Sequence, residues 1–253
     1  MNLREFGNII AFEVAPEPYQ SQYEVGRIYD FLNQRRFEFT NFDPIDFIIK
    51  EFFILNNIRN NPAGILESII IKNSFDDYTE LPSLYREFYD LMRAFIALNP
   101  DAKAVSFFLE KITCIVIKNI YGGSTITNTK FRHKNGKPKF KPIQGPKYID
   151  YDGVERRHEE VDILSFEWTK NSNSLIECKS STEMLKKEVS HIHEFYIFIC
   201  DLLNGESSEN FQIIYSVPAD RSNFFSDITR NLDKKYPVFT LELRQWHNGV
   251  TSI

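Results

Sequence analysis

The sequence predicts a mixed α/β protein whose sheet lies in the C-terminal part of the chain. From residue 100 onward, long apolar segments with helical spacing alternate with short segments rich in β-branched and aromatic residues. Two of the short segments flank the polar stretch "TKNSNS", which is typical of a hairpin turn. A long amphipathic segment separates this hairpin from the next strand, and such a crossover implies a parallel step in the sheet.

The first 99 residues predict a mostly helical α+β region. Segments 8–15 ("NIIAFEVA") and 35–42 ("RRFEFTNF") have the residue types and partial alternation of strands. Segments 44–60 and 83–98 repeat apolar residues every three or four positions, as helices do. No pattern in this region indicates a chemistry, so we expect it to serve recognition or dimerisation.

From residue 100 the predicted order is helix, three strands, helix, strand, helix and strand. The first helix begins at Asn99-Pro100-Asp101 and ends at Gly122-Gly123. It is apolar around most of its circumference, so it should pack on the sheet. The later elements are predicted as strands at 124–131, 160–168 and 174–179, a helix at 182–204, a strand at 210–218, a helix at 222–236 and a strand at 238–246.

The composition is that of a globular protein with ample core-forming residues. The 253 residues suffice for one large domain or two small ones, and 42% of them are hydrophobic. Cys114, Cys178 and Cys200 are widely spaced in apolar segments, so we expect reduced core residues and neither disulfides nor a zinc site. The sequence has no apolar segment of membrane-spanning length, and "MNLREFGNII" lacks the apolar part of a signal peptide. We therefore expect a cytoplasmic protein without membrane contact.

Three charged residues interrupt the predicted hairpin. Asp162 lies in its first strand, and Glu177 and Lys179 lie in its second. Because side chains alternate along a strand, Glu177 and Lys179 point to the same face. With a turn centred between Thr169 and Asn171, Asp162 faces Glu177 or Lys179 across the antiparallel pair. The local geometry therefore permits two carboxylates and an ammonium to converge on one patch.

Such a patch is suited to hydrolysing a phosphodiester. Two close carboxylates repel each other, and a buried pair takes up a proton or binds a cation. Mg²⁺ prefers hard oxygen ligands, keeps several waters and accepts phosphate into its shell. A neighbouring lysine can orient or deprotonate the attacking water, or stabilise charge on the phosphate. The alternative is a surface hairpin with an exposed cross-strand Glu–Lys pair.

The order Asp162, fourteen intervening residues and Glu177-Cys178-Lys179 resembles the motif of the PD-(D/E)XK nuclease superfamily. The resemblance covers residues 100–245 and implies a restriction-endonuclease-like fold, a mixed sheet flanked by helices. The domain division that it implies is an N-terminal region over 1–99 and a nuclease core over 100–253. The sequence "EEVDIL…LIECKSS" is also similar to sequences in nuclease domains of CRISPR-associated and other anti-phage effectors. Val161 stands where the nominal motif has proline.

The resemblance also implies a metal site. Asp162 and Glu177 would be ligands of Mg²⁺, with Mn²⁺ able to substitute, and the carbonyl of Cys178 would add a third oxygen. Lys179 would be the catalytic lysine.

Further site residues follow from the same resemblance. Many members contribute a glutamate from the helix before the first strand, which here is Glu110. Glu160 is the alternative, because it shares a face with Asp162 two residues along. Some members place a Gln, Lys or Tyr on the helix after the third strand, and Lys187 is the candidate for that role.

A basic strip extends from residue 124 to 149, where no acidic residue occurs. Its basic residues are Lys130, Arg132, Lys134, Lys137, Lys139, Lys141 and Lys147, with His133 among them. On a protein with a net charge of −5, such a strip predicts a local contact for phosphates. A solvated loop is the alternative. We expect an exposed hairpin or loop beside the site.

The sequence thus predicts a metal-dependent endonuclease of restriction or anti-phage defence type, and it favours DNA over RNA as the substrate. Because cutting both strands of a duplex needs two active sites, we expect a homodimer. The alternative is a non-catalytic nucleic-acid-binding or assembly protein with a nuclease-like fold, which would use the basic strip alone. His191 and His193 are two residues apart on a helix and are not expected to chelate a metal together.

Overall fold

The computed structural model describes residues 10–14, 19–54, 62–98, 103–133, 147–149, 155–157, 161–166, 172–204, 210–219, 230–244 and 251–252. These residues form an α/β structure in which helices flank a mixed sheet. None of the helices within these ranges is long and apolar enough to cross a membrane.

Six α-helices are described. They are α1 (Tyr19–Arg35), α2 (Pro44–Phe47), α3 (Pro62–Asn73), α4 (Ser83–Leu98), α5 (Lys103–Tyr121) and α6 (Thr182–Asn204). Helix α2 continues as a π-helical segment, Ile48–Ile54, and short 3-10 turns lie at Arg36–Glu38 and Tyr78–Glu80. Helix α5 ends as predicted, because Gly122 adopts a positive φ of 70° and its N–H donates to the Lys118 carbonyl at 2.9 Å.

The strands form one seven-stranded sheet and a separate two-stranded hairpin. They are β1 (Ile10–Val14), β2 (Ser124–His133), β3 (Lys147–Ile149), β4 (Glu155–Arg157), β5 (Val161–Phe166), β6 (Ser172–Cys178), β7 (Asn210–Val217), β8 (Val238–Glu242) and β9 (Thr251–Ser252). The large sheet has the order β1-β2-β5-β6-β7-β8-β9, and β3 pairs with β4. Strands β6, β7 and β8 are parallel, and every other neighbouring pair is antiparallel. The predicted hairpin and the predicted parallel step after it are confirmed.

The sheet is covered on both faces. On one face Ile163, Ile176 and Ile214 belong to a buried cluster that also contains residues of α5 and of the N-terminal helices α1 and α4. On the other face Leu164 and Leu175 belong to a second cluster, with residues of α6. Helix α5 therefore lies in the same apolar core as the N-terminal helices. The three cysteines are buried free thiols, as expected.

The strand predicted at residues 35–42 is wrong. A 3-10 turn stands there, and no strand is formed. Phe39 packs against Phe42, Tyr85 and Phe88, with ring centroids 4.9 to 6.0 Å apart. Phe37 is 81% exposed. Phe39 and Phe42 thus pack on helix α4, and no partner strand is needed to bury them.

The helix predicted at 222–236 is wrong in its described part, because residues 230–237 form turns and bends. The side chain of Asp233 accepts a hydrogen bond from the Lys235 N–H at 3.0 Å, which is a local turn that competes with helix. Residues 220–229 lie outside the described ranges. The small hairpin of β3 and β4 was not predicted, since three-residue strands carry too little alternation to be read from sequence.

Candidate active site

The candidate site lies at the end of the sheet where strand β5 begins and the neighbouring strand β6 ends. Asp162 is the second residue of β5, and Lys179 directly follows β6. The register that pairs Ile163 with Ile176 places Asp162 opposite Glu177 at the next position. Directly opposite residues point to the same face, so Asp162, Glu177 and Lys179 share a face, as the alternation predicted.

Asp162 is partly buried, and its Oδ2 accepts a hydrogen bond from the Cys178 N–H at 2.8 Å. Burial, followed by the charges of Glu177 and Glu110, raises the pKa of Asp162 well above its ordinary value. The Cys178 hydrogen bond and the Lys179 charge oppose this shift only in part. The charges of two other carboxylates therefore act on Asp162 at this end of the sheet, and a cation beside Asp162 and Glu177 would relieve the repulsion between that pair.

Glu177 is buried, and a hydroxyl and an ammonium contact its carboxylate. The Tyr196 hydroxyl donates to its Oε2 at 2.5 Å, and the Lys179 Nζ lies 2.8 Å from its Oε1. Burial, together with the charge of Glu177, raises the pKa of Tyr196 well above its ordinary value. Tyr196 therefore keeps its proton and acts as a hydrogen-bond donor to the carboxylate.

Lys179 is held by two carboxylates and by its own backbone. Its Nζ lies 2.8 Å from Glu177 and 2.9 Å from Glu188, and its N–H donates to the Ser216 carbonyl at 2.9 Å. Burial alone would lower the pKa of Lys179, but the charges and hydrogen bonds of Glu177 and Glu188, together with Asp162, raise it above the ordinary lysine value. The side chain is therefore an ammonium at neutral pH.

Sequence reasoning missed Tyr196 and Glu188. Helix α6 buries Leu185, Val189 and Ile192, and Glu188 and Tyr196 occur on the same side of the helix. The sequence signal that could have identified them is the presence of polar groups on the otherwise apolar face of this helix. The predicted helical residue, Lys187, is exposed, and its role in binding nucleic acid stays a prediction.

Glu110 lies on α5 and is buried. Its charge contributes to the raised pKa of Asp162 and, after burial and Asp162, to that of the Cys178 thiol. Next to it, the Lys111 Nζ donates to the Thr127 hydroxyl at 3.1 Å. Glu160 lies outside the described residues, so the choice between Glu110 and Glu160 as the additional acid stays open.

The basic strip lies partly in a strand and partly outside the described ranges. Strand β2 extends to His133, so Lys130 and Arg132 belong to it and not to a loop, with Glu13 and Ala11 of β1 as their partners. Residues 134–146, which include Lys134, Lys137, Lys139 and Lys141, lie outside the described ranges. Their placement beside the site stays a prediction.

His193 has a structural role on α6. Its Nε2 lies 2.6 Å from the Asp233 carbonyl, and its Nδ1 lies 2.8 Å from the Tyr215 hydroxyl. Because a carbonyl only accepts, Nε2–H donates to Asp233 and the Tyr215 hydroxyl donates to Nδ1. Burial lowers the pKa of His193 below its ordinary value, although the Asp233 carbonyl and the charges of Asp233 and Glu194 oppose the shift.

We therefore expect His193 to make stability fall in mild acid. A lowered folded-state pKa means that the unfolded chain binds a proton more readily, so this contribution is present above about pH 6.5 and is lost as the pH falls through the folded pKa. Chemical denaturation between pH 5 and 8 should show the loss in the wild type and a flatter profile in His193→Gln. His191→Gln, at an exposed position on the same helix, is the control for replacing an imidazole with an amide on this helix. An unchanged slope in His193→Gln would contradict the assignment.

The donor set available to a cation consists of the Asp162–Glu177 pair. Within the described ranges, no group of three or more Asp, Glu, His or Cys side chains is placed to hold a metal ion. Mg²⁺ needs no such group, because it commonly binds one or two carboxylates and completes its shell with water and substrate phosphate. The residues present therefore fit Mg²⁺ better than they fit a metal that requires several protein side chains, such as Zn²⁺.

Comparison with known proteins gives no assignment. No protein-family model matches the chain, and no curated protein matches it significantly.

Proposed function

We propose that this chain is a Mg²⁺-dependent endonuclease of the PD-(D/E)XK type. The observation that carries the proposal is the placement of Asp162 opposite Glu177, with the Lys179 Nζ 2.8 Å from the Glu177 carboxylate. Burying two carboxylates close together is unfavourable in the absence of a cation. A protein that only binds nucleic acid gains nothing from this arrangement, whereas metal-dependent hydrolysis of a phosphodiester can use it.

The fold supports the same proposal. The succession α5, β2, β5, β6, α6, β7, β8, with β6 and β7 parallel, has the order of elements expected for a restriction-endonuclease-like core. The two acidic residues lie on adjacent central strands, and the lysine follows the second of them. We therefore include the restriction-endonuclease-like fold in the proposal.

Asp162 and Glu177 would hold Mg²⁺, with the Cys178 carbonyl as a further oxygen ligand and Mn²⁺ as a substitute. When bound there, Mg²⁺ supplies Lewis-acid activation of the phosphate and of the attacking water. Hydrolysis adds water across one P–O bond of the substrate and releases a hydroxyl and a phosphate end.

The chain's own residues would bind and orient the reacting groups. The Lys179 ammonium would bind a phosphate oxygen and stabilise the negative charge that develops as water attacks. Its raised pKa favours this electrostatic role over proton abstraction. Tyr196 would keep the Glu177 carboxylate in a fixed orientation through its 2.5 Å hydrogen bond, and Glu110 would add negative charge near Asp162.

The substrate in this proposal is nucleic acid, DNA more than RNA, and the setting is restriction or anti-phage defence. The basic strip would bind the substrate backbone, and the acidic charge elsewhere would limit indiscriminate coating. Residues 1–99 would recognise the substrate or a partner, or form the interface of a homodimer.

Replacing Lys137, Lys139 and Lys141 with alanine should weaken binding to duplex DNA at low salt and flatten its salt dependence. Each lost phosphate contact should reduce the slope of log K against log salt by about 0.9. The matched control is the triple alanine variant of the exposed residues Lys118, Lys234 and Lys235, which changes the charge equally. Fluorescence anisotropy in a salt series measures the DNA affinity and its salt dependence for each variant. Equal slopes in the two variants would show that the strip has no specific role.

The proposed function is tested by incubating the protein with supercoiled plasmid, linear duplex, single-stranded DNA and RNA, in Mg²⁺ or in EDTA. We expect Mg²⁺-dependent cleavage of at least the plasmid and none in EDTA. Salt-dependent binding with no cleavage of any substrate would instead favour the non-catalytic nucleic-acid-binding protein.

A further inference from the structure

Lys179 is shared between two glutamates that come from different elements. Its Nζ lies 2.8 Å from Glu177 on β6 and 2.9 Å from Glu188 on α6. The Glu177 side chain is 4% exposed, Lys179 is 18% exposed and Glu188 is 31% exposed. One carboxylate therefore lies inside the site, and the other lies at its rim.

Glu188 occupies a position where the helix pattern favours an apolar residue. It follows Leu185 by three residues and precedes Ile192 by four, and both of these are buried against the sheet. It is eight residues before Tyr196, which is two turns, or about 12 Å, along the same side of the helix. Helix α6 thus presents two polar groups toward the site, Tyr196 to Glu177 and Glu188 to Lys179.

The present contacts of Glu177 would conflict with its role as a metal ligand. Its Oε1 is paired with the Lys179 ammonium and its Oε2 accepts from Tyr196. A divalent cation that binds Glu177 would meet the positive charge of Lys179 at close range. Without a second anion, the lysine would compete with the cation for the same carboxylate.

We propose that Glu188 is a positioning residue that retains the Lys179 ammonium when Glu177 binds a divalent cation. The ammonium already contacts both carboxylates, so it needs only a small movement to give up Glu177 and keep Glu188. An ammonium has three N–H donors, so a lysine that is bound to Glu188 still has donors for a phosphate oxygen. Glu188 thereby keeps the lysine beside the substrate and out of competition with the metal. This inference rests on the proposed function.

The inference predicts a coupling between Glu188 and Lys179 in metal affinity. Mg²⁺ affinity is measured by calorimetric titration for the wild type, Glu188→Gln, Lys179→Ala and the double variant. Glu188→Gln should weaken Mg²⁺ binding about tenfold, which is within the range of coupling between contacting residues. In the Lys179→Ala background the same substitution should change the affinity by less than about twofold, because no ammonium is left to compete.

Two controls make the outcome specific. Glu183→Gln removes the same charge at an exposed position on the same helix and should leave Mg²⁺ affinity unchanged. Thermal unfolding in EDTA identifies which variants fold. If only Glu188→Gln fails to fold, Glu188→Asp in both lysine backgrounds gives the coupling instead, because it keeps the charge and withdraws it by one carbon.

The possible results separate this inference from the proposed function. Equal weakening by Glu188→Gln in both lysine backgrounds would mean that Glu188 acts on the ion only through its charge, and no weakening would mean that it has no role. Either result overturns the inference and leaves a Mg²⁺-binding, DNA-cleaving wild type intact. A wild type that binds no Mg²⁺ would overturn both.

Discussion

Lys179→Ala is expected to lower the rate of DNA cleavage by about 10²- to 10³-fold, as removal of one electrostatic donor does in other enzymes. Mg²⁺ should bind to this variant as tightly as to the wild type or more tightly, because a positive charge 2.8 Å from Glu177 has been removed. The cleavage rate and the Mg²⁺ affinity are expected to respond differently because the carboxylates bind the ion, whereas the lysine acts on the phosphate. Single-turnover nicking and calorimetric titration on the same preparation measure the two effects.

The same substitution should also destabilise the metal-free protein. Glu177 would keep its Tyr196 hydrogen bond but lose its ion pair, and an incompletely compensated buried carboxylate costs up to about 3 kcal/mol. Saturating Mg²⁺ should restore much of this loss, since binding to the folded state raises its stability. Lys234→Ala, at an exposed position, is the control for both assays. Cleavage by Lys179→Ala at the wild-type rate would remove the lysine from the mechanism.

Asp162→Asn is expected to weaken Mg²⁺ binding by more than about tenfold and to abolish cleavage. The substitution keeps the shape of the side chain, and its amide oxygen can still accept from the Cys178 N–H, but one anionic ligand is lost. Calorimetric titration measures the affinity. Wild-type affinity in this variant would show that Asp162 is not a ligand.

Without metal, Asp162→Asn should be more stable than the wild type at neutral pH. The folded-state pKa of Asp162 is raised, so its contribution to stability is present below its unfolded value near pH 4 and is lost as the pH rises through the folded value. Asparagine removes that cost. Thermal unfolding in EDTA should therefore rank the variant above the wild type, and added Mg²⁺ should stabilise the wild type far more than the variant. A variant less stable than the wild type in EDTA would contradict this account of the site.

Strand alternation was enough to predict where the site's charges converge. Glu177 and Lys179 had to share a face, and the polar segment 169–174, which predicted a turn, allowed Asp162 to be placed opposite one of them. The register in the structure places Asp162 opposite Glu177, one of the two partners that the sequence left open. The hairpin was predictable because both its strands and its turn carry local signals.

The remaining partners could not be predicted, because they depend on how α6 is rotated against the sheet. Helical spacing shows that Glu188 and Tyr196 lie on one side of the helix, but it does not show which strand residues they meet. The sequence analysis named Lys187 as the site residue on this helix. The residue that contacts Lys179 is its neighbour in sequence, Glu188, which points about 100° away around the helix. The error at 35–42 has a similar origin, because Phe39 and Phe42 are buried against Tyr85 and Phe88 of a distant segment.

The most direct test of the central claim is the nicking rate of supercoiled plasmid by the wild type and by Asp162→Asn, measured side by side over a Mg²⁺ series and in EDTA. We predict that the wild-type rate rises with Mg²⁺ and is absent in EDTA, and that Asp162→Asn shows no nicking at any Mg²⁺ concentration at which it remains folded. Equal rates for the two proteins, or wild-type nicking that persists in EDTA, would contradict a metal-dependent active site at Asp162, Glu177 and Lys179.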